Sequence, residues 1–257
     1  MTRFVTIGGS LNFRHLGGYE TAEGRLTRAD ALFRGGWFEL DGDEDAARFE
    51  ATGIRLIFDF RSPPERQKRP LGGRIRERAD VVEVGISPGS MGPYLQSLRH
   101  LPPAEVDCKA AMTRMHYEML EEGTPRFREF LQQLATVDGP VMIMCSTGKD
   151  RTGVATALLL SALGVPRPTV VEDYLISADV YRGRELDFAR SHGLEALGVD
   201  LELVRDVFTV HPEYLGAVWR RIDETAGSMD GFLAQTLCLT AADRERLTQT
   251  FTHPPAG

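Results

Sequence analysis

The sequence contains few cysteines and no long apolar run. Its 257 residues include three cysteines, and because the number is odd and no Cys-x-x-Cys pair occurs, neither a disulfide framework nor a cysteine-rich metal site is indicated. We therefore predict reduced thiols in a reducing compartment. No stretch reaches the roughly 18 uninterrupted apolar residues that span a bilayer, and residues 1–10 lack the apolar core of a signal peptide. These absences predict a cytoplasmic protein without a transmembrane segment, with secretion by a signal-independent route as the alternative.

An excess of positive charge is also lacking. The formal net charge is −7 at pH 7, whereas general nucleic-acid binders are more often basic, since each phosphate that they cover has to be neutralised. We therefore predict no nucleic-acid partner, although a local basic pocket for one phosphate group is compatible with this charge. The composition, 42% hydrophobic and 26% charged, is that of a globular protein with enough apolar residues for a core. The length fits one domain over residues 1–257.

Strand and helix patterns alternate along the first two thirds of the chain. Short β-branched or aromatic segments bounded by turn residues predict strands over 31–34, 54–60, 81–86 and 141–144. Helical periodicity predicts helices over 43–52, 104–121, 125–136, 153–163, 168–190, 212–224, 229–237 and 241–250. Dense proline and glycine predict a loop over 87–103, and the tail 253–257 is predicted to fray. The alternation favours an α/β fold with a mostly parallel central sheet flanked by helices and a helical C-terminal part.

Each of the three cysteines is followed six positions later by an arginine, so this spacing alone singles out none of them. Cys108 begins a glycine-free helical stretch, where the backbone amides are committed to the helix. Cys238 precedes the last predicted helix, for which Thr240 is a candidate N-cap. We interpret Cys108 and Cys238 as small buried hydrophobic residues, the usual role of a cysteine outside a disulfide.

Cys145 lies in a different sequence context. It begins a short segment that we call the Cys145 loop (residues 145–151). An apolar strand ends at the cysteine, small residues follow, and a strongly apolar helix begins after them. Such a loop can direct several amide N–H groups at one anion, with the positive end of the helix behind them. The planar guanidinium of Arg151 suits two phosphate oxygens at once, and the same positive surroundings favour the nucleophilic thiolate. The predicted substrate-binding residues are Ser146, Thr147, Gly148, Lys149 and Thr152.

Two other features of the loop bear on its chemistry. A nucleotide-binding loop of the Walker type is excluded, because it requires a glycine where Ile143 stands and a serine or threonine where Asp150 stands. A cysteine nucleophile that attacks phosphorus expels an alkoxide or phenoxide, which calls for a general acid. Asp150, inside the loop, and Asp59, at the end of an apolar strand, are both candidates, and the sequence favours Asp150. No metal or cofactor is predicted, since the loop itself supplies positive charge.

The loop sequence CSTGKDRTG (145–153) resembles the signature of the bacterial tyrosine phosphatase family with the Cys-x-x-Gly-Lys-Asp-Arg-Thr-Gly loop. Further stretches similar to that family are NFRHLGGY (12–19), LFRGG (32–36), DFRSPPE (59–65), DYL (173–175) and HPEYL (211–215). The resemblance implies a cysteine phosphatase that acts on phosphotyrosine, with phosphoserine, phosphothreonine or phosphoinositides as further substrates. It also implies that Lys149 and Asp150 influence substrate choice. A helical lid over 87–121 or 180–203 is a further expectation.

Two residues depart from the family pattern. Met144 stands where the family usually has a histidine before the nucleophile, and His15 stands where an acidic residue is usual. Because methionine offers only a weak acceptor, we expect the loop amides, Arg151 and the Thr152 hydroxyl to stabilise the thiolate. The alternative reading of the chain is a catalytically weak or inactive phosphatase fold that binds phosphate groups without turnover. A third is sulfur or arsenate chemistry on a similar loop, which Lys149 and Asp150 fit less well.

Overall fold

A five-stranded sheet forms the centre of the computed structural model, which describes residues 3–191, 193–195 and 199–255. The strands are β1 (Arg14–His15), β2 (Leu26–Thr27), β3 (Leu32–Gly35), β4 (Leu56–Asp59), β5 (Asp80–Glu83), β6 (Val141–Met144) and β7 (Thr252–His253). The strand order of the central sheet is β1-β3-β6-β4-β5, in which only β1 is antiparallel to its neighbour. β2 and β7 form a separate antiparallel pair. The predicted mostly parallel central sheet is confirmed.

Helices cover the sheet and make up most of the C-terminal part. They are α1 (Asp43–Ala51), α2 (Pro63–Lys68), α3 (Gly73–Arg76), α4 (Met91–Ser97), α5 (Cys108–Leu134), α6 (Asp150–Ala162), α7 (Arg167–Tyr181), α8 (Glu185–Ser191), α9 (Pro212–Ala226), α10 (Met229–Gly231) and α11 (Ala241–Phe251). Leu201–Val207 forms a 3₁₀ helix, and Phe232–Thr236 a π-helical turn. Among the described residues, no helix is both long and apolar enough to cross a membrane.

The central strand β6 explains where the site is formed. Its four side chains are all buried, and alternate ones enter two core clusters on opposite faces of the sheet. One cluster contains side chains of α5, α6 and α9, and the other contains side chains of α1 and α3. Gly35, Met144 and Asp59 lie side by side at the ends of three parallel strands. The segments that follow these three residues therefore meet at one edge of the sheet, where ligands bind in α/β proteins.

The structure corrects the prediction of two helices over 104–121 and 125–136. A single helix, α5, runs through both and contains Pro125. Phe127 and Phe130 of this helix pack against phenylalanines of β4 and the segment just after it, with ring centroids 5.0 to 6.0 Å apart. This packing of a long apolar face outweighs the local preference of a proline to end a helix.

Other boundaries also differ from the sequence predictions. The single helix predicted over 168–190 is wrong, because Gly183, with φ of 76°, lies between α7 and α8. The loop predicted over 87–103 contains α4. The fraying predicted over 253–257 is wrong at its first residue, which pairs in β7, and residues 256–257 lie outside the described residues. Strands of two residues, such as β1, β2 and β7, have no detectable period in sequence.

The two cysteines outside the loop differ from one another. Cys108 is buried, as predicted. Cys238 is exposed and has φ of 52°, so the prediction of a buried hydrophobic residue is wrong there. The chain makes a turn at this residue before the last helix, and a small side chain at a surface turn does not need to reach the core. Thr240 is the N-cap of α11, as predicted, and accepts a hydrogen bond of 3.1 Å from the backbone N–H of Asp243.

Candidate active site

The Cys145 loop starts directly after β6, and Cys145 itself is 1% exposed. Gly148 has φ of 67°, and a Cβ atom there would lie 2.2 Å from the carbonyl carbon of Gly35. A residue with a side chain therefore cannot occupy this position without moving the end of β3. The glycine lets the loop curl tightly against the neighbouring strand.

Groups outside the loop donate hydrogen bonds to its carbonyl oxygens. Asn12 Nδ2 and Arg34 Nη2 donate to the Gly148 carbonyl at 2.8 and 2.9 Å. The backbone N–H of Trp37 donates to the Ser146 carbonyl at 3.1 Å, and the Tyr181 hydroxyl donates to the carbonyl of Thr147. In a trans peptide the N–H points opposite to the C=O, so the amides that follow these carbonyls face away from their partners.

The amides of residues 146–149 donate to no acceptor within the described part of the chain. They precede the N-terminus of α6, whose first-turn amides also lack intrahelical partners and carry the positive end of the helix dipole. Buried backbone donors are rarely left without partners unless a ligand or water satisfies them. The loop therefore has the features of an anion-binding cradle around Cys145.

Arg151 is held at this cradle by Glu65 from α2. Its Nη1 and Nη2 atoms each donate to one Glu65 oxygen at 2.6 Å, and Nη1 also donates to the Ile86 carbonyl at 3.2 Å. The Ser146 hydroxyl donates to Glu65 at 2.5 Å. Burial alone raises the pKa of Glu65, but the hydrogen bonds and charge of Arg151 outweigh it and hold that pKa well below its usual range. The carboxylate is therefore ionised and fixes the guanidinium beside the loop.

The two candidate acids have different surroundings. Asp59 is fully buried, and both of its oxygens accept from the Arg61 guanidinium, at 3.0 and 2.7 Å. Asp150 is the first residue of α6 and its side chain is 21% exposed. Its Oδ1 atom has no hydrogen-bond partner among the described residues. Of the two carboxylates, Asp150 is the one whose side chain is partly exposed and is not paired to an arginine within hydrogen-bond distance in the described residues.

Two other predicted site residues have specific surroundings. The Lys149 ammonium group donates to the carbonyls of Val207 and Thr209 at 2.6 and 3.0 Å, so it ties the loop to the 3₁₀ segment Leu201–Val207. The Thr152 hydroxyl is buried and finds no partner in the described residues. In this structure Lys149 anchors the neighbouring segment, and Thr152 offers an unused hydroxyl at the base of the loop.

The structure shows the surroundings of Met144 and His15, the two residues that depart from the family pattern. Met144 is fully buried in the core cluster on the sheet face opposite to the cluster that contains Cys145, so it offers no polar group to the nucleophile. His15 is only partly buried, and its Nδ1 accepts from the Gly17 amide at 3.1 Å. The carboxylate that the neighbouring Arg14 requires is supplied by Asp173, 3.3 Å away. The acidic side chain missing at position 15 therefore leaves no buried arginine unpaired at this point.

Sequence reasoning assigned no role to Glu65, His116 or Asp173. Asp173 pairs with two fully buried arginines, Arg14 and Arg34. Burial by itself would raise the pKa of Asp173, but the charges of the two arginines outweigh it and lower this pKa to about 2. Glu65 and Asp173 lie in stretches that resemble the family, which was the available signal. His116, 3.5 Å from Asp150, lies in a stretch without any motif.

Comparison with known proteins agrees with this geometry. Residues 5–253 match the sequence model of the tyrosine phosphatase family. A Cupriavidus necator protein named as a tyrosine-protein phosphatase is 32% identical over 88% of this chain and 81% of its own length. The triple specificity protein phosphatase PtpB of Mycobacterium tuberculosis is 30% identical over 88% of this chain and 91% of its own.

Among solved structures, the chain has only weak likeness to the crystal structure of P. aeruginosa TpbA. The TM-score is 0.31 at 17% identity, over 72% of this chain and 89% of that one, and this likeness adds nothing to the assignment. The match over nearly the whole sequence and the two relatives decide it. The chain belongs to the tyrosine phosphatase family and is an enzyme of the protein tyrosine or dual-specificity phosphatase type.

Proposed function

We propose that the protein hydrolyses phosphotyrosine monoesters through a phosphocysteine intermediate on Cys145. The observation that carries this proposal is the arrangement of the Cys145 loop: amides without an acceptor among the described residues, together with an arginine fixed by Glu65. Amides and the Arg151 fork match the three non-bridging oxygens of a phosphoryl group. The site therefore binds the group that the nucleophile attacks.

The reaction proceeds in two balanced steps. The Cys145 thiolate forms a bond to phosphorus, the bond to the leaving oxygen breaks, and Asp150 gives its proton to that oxygen. Water then attacks the phosphocysteine, the bond between phosphorus and sulfur breaks, and the Asp150 carboxylate accepts a proton from the water. Phosphate is released and the Cys145 thiolate is regenerated. The loop amides and Arg151 supply the positive charge that metal ions supply in other phosphatases.

The recessed position of the nucleophile supports phosphotyrosine as the first substrate class. Cys145 is 1% exposed, and a phosphate at the end of an aromatic side chain extends further than one on a serine. Phosphoserine, phosphothreonine and phosphoinositides belong to the proposal as secondary substrates, since the relative from M. tuberculosis is named a triple specificity phosphatase. A lid stays a prediction: α4 and α5 occupy most of 87–121, while the alternative segment 180–203 includes residues 192 and 196–198, which lie outside the described residues.

A phosphate-release panel tests the substrate class. The purified protein is assayed with phosphotyrosine, phosphoserine and phosphothreonine versions of one peptide and with soluble inositol phosphates, at equal concentration. We expect the highest kcat/KM for the phosphotyrosine peptide. Higher kcat/KM for an inositol phosphate would contradict the proposed substrate. Binding of all these compounds without phosphate release would favour the alternative of a non-catalytic phosphate reader, for which Met144 is the supporting feature.

Replacing Asp150 with asparagine is expected to lower kcat/KM for phenyl phosphate by about 100-fold, a typical loss for a general acid. For 2,4-dinitrophenyl phosphate, whose leaving group needs no proton, the loss should be far smaller. The matched variant is Asp59→Asn, which removes the partner of the buried Arg61. It is expected to lower the melting temperature and to affect both substrates equally. A loss that depends on the leaving group in Asp59→Asn, and not in Asp150→Asn, would reverse the assignment of the acid.

A further inference from the structure

His116 is a fully buried histidine of α5 that lies beside the loop. Its ring stacks on that of Tyr214, with centroids 5.3 Å apart, and its Nδ1 atom is 2.9 Å from the carbonyl oxygen of Met112. A carbonyl oxygen only accepts hydrogen bonds, so Nδ1 carries a hydrogen. In the neutral ring the other nitrogen, Nε2, is then an acceptor. Nε2 lies 3.2 Å from the Tyr174 hydroxyl and 3.5 Å from Asp150 Oδ1.

The titratable groups around this ring decide its charge. They are Asp150 and Lys149 from the loop, Tyr174 from α7 and Tyr214 from α9. Burial lowers the pKa of His116, and the charge of Lys149 lowers it further, against the opposing effects of Asp150 and the Met112 carbonyl. Burial also raises the pKa of Tyr174 well above its ordinary value, so that hydroxyl stays protonated. Near neutral pH the ring is therefore uncharged, and its single Nε2 lone pair faces both the Tyr174 hydroxyl, which donates to it, and Asp150.

We propose that His116 is a positioning residue for the general acid: its Nε2 atom, shared with the Tyr174 hydroxyl, accepts a hydrogen bond from the protonated Asp150 carboxyl and orients it. The distance of 3.5 Å is long for a hydrogen bond, but hydrogen bonds in active sites are often long before substrate binds and shorten afterwards. Asp150 Oδ1 has no other hydrogen-bond partner among the described residues. This inference rests on the proposed function, in which Asp150 is the acid.

The opposite side of the carboxyl group supports the same role. Lys149 Nζ lies 3.5 Å from Asp150 Oδ2. Asp150 thus lies between a hydrogen-bond acceptor near Oδ1 and a cation near Oδ2. The χ2 torsion of an aspartate has a broad distribution. The protonated oxygen of Asp150 can therefore turn away from Nε2 and towards the leaving oxygen. His116 itself gains and loses no proton in either step.

A purely structural role for His116, as a buried ring that bonds Tyr174, predicts different kinetics. The test uses His116→Phe, which keeps a ring to stack on Tyr214 and removes the Nε2 acceptor. His116→Gln, which returns an acceptor oxygen near the Nε2 position, is the conservative variant. Tyr174→Phe is the matched control, since it removes the hydroxyl that shares Nε2 and leaves this acceptor available to Asp150. All variants are compared with the unchanged protein in kcat/KM from pH 4 to 10 and in melting temperature.

In His116→Phe we expect kcat/KM for phenyl phosphate to fall about five- to tenfold, the effect of one net hydrogen bond. The value for 2,4-dinitrophenyl phosphate should change by less than about twofold, because that leaving group requires no acid. His116→Gln should restore most of the loss, and Tyr174→Phe should lower neither value, because it removes only the hydroxyl that shares Nε2 with Asp150.

Equal losses for both leaving groups would overturn the positioning role and leave a structural one. An unchanged rate for phenyl phosphate in a folded His116→Phe would overturn it as well. Both results are distinct from a failure of the proposed function itself. That failure is seen when the unchanged protein releases phosphate from neither aryl ester, and it would remove this inference too.

Discussion

Replacement of Cys145 with serine is expected to abolish turnover of p-nitrophenyl phosphate, with a loss in kcat of at least about 10⁴-fold. A serine hydroxyl is a weak nucleophile unless a base activates it, whereas the proposed mechanism uses Cys145 as a thiolate. Serine differs from cysteine by a single atom, and the side chain is 1% exposed, so the fold and phosphate binding should persist. Release of p-nitrophenol measures turnover, and protection of the melting temperature by inorganic phosphate measures binding.

The chain offers a matched control for this prediction. Cys238 also has an arginine six positions later but is exposed and lies outside the loop, so Cys238→Ser is expected to leave kcat unchanged. If Cys145→Ser kept a substantial fraction of the activity, the cysteine mechanism would be wrong. If it lost phosphate protection along with activity, the variant would report a damaged loop, and the cysteine would need replacement by alanine to separate the two.

Arg151→Lys is expected to lower kcat/KM by about 10³-fold, the size of effect found when an arginine that stabilises phosphoryl transfer is removed. Lysine keeps the charge but lacks the planar fork, so it cannot bind two Glu65 oxygens and two phosphate oxygens in fixed directions. The Glu65 carboxylate also loses one of its two donors from residue 151, which leaves negative charge beside the cradle. Inhibition by vanadate, an analogue of the transition state, should weaken in parallel with kcat/KM.

Arg114→Lys is the control for this change, because Arg114 is exposed and pairs with Glu118 on the same helix. We expect it to have no effect on kcat/KM or on vanadate inhibition. An Arg151→Lys variant with nearly normal kcat/KM would mean that the charge alone suffices and that the fork held by Glu65 has no special role. Glu65→Gln would then be expected to behave normally as well.

The local part of the site is predictable from the sequence, since it lies in one short stretch. The apolar run of β6, the small residues after Cys145 and the apolar run of α6 from Val154 onward specify strand, loop and helix without any long-range contact. Gly148 could be predicted as a turn, but its close approach to Gly35 follows only from the parallel pairing of β3 with β6.

The distant residues of the site could not be assigned in this way. Glu65 is separated from Arg151 by 86 positions, and its bidentate contact depends on how α2 packs at the edge of the sheet. His116 has no motif, and its approach to Asp150 depends on how α5 packs against α6. The sequence prediction interrupted α5 near Pro125, since a local rule cannot weigh the packing of Phe127 and Phe130 on the sheet. The contacts of Glu65 and His116 both depend on tertiary packing, which cannot be predicted from a single sequence by local rules.

Direct detection of the phosphorylated enzyme tests the account most closely. The protein is mixed with p-nitrophenyl phosphate, denatured within milliseconds at alkaline pH and digested with a protease. The masses of the peptides are then measured by mass spectrometry. The account predicts one phosphoryl group on the peptide that contains Cys145, in the unchanged protein and in Asp150→Asn, and none in Cys145→Ser. A phosphoryl group on another residue, or turnover by the unchanged protein with no labelled peptide at any time, would contradict the phosphocysteine mechanism.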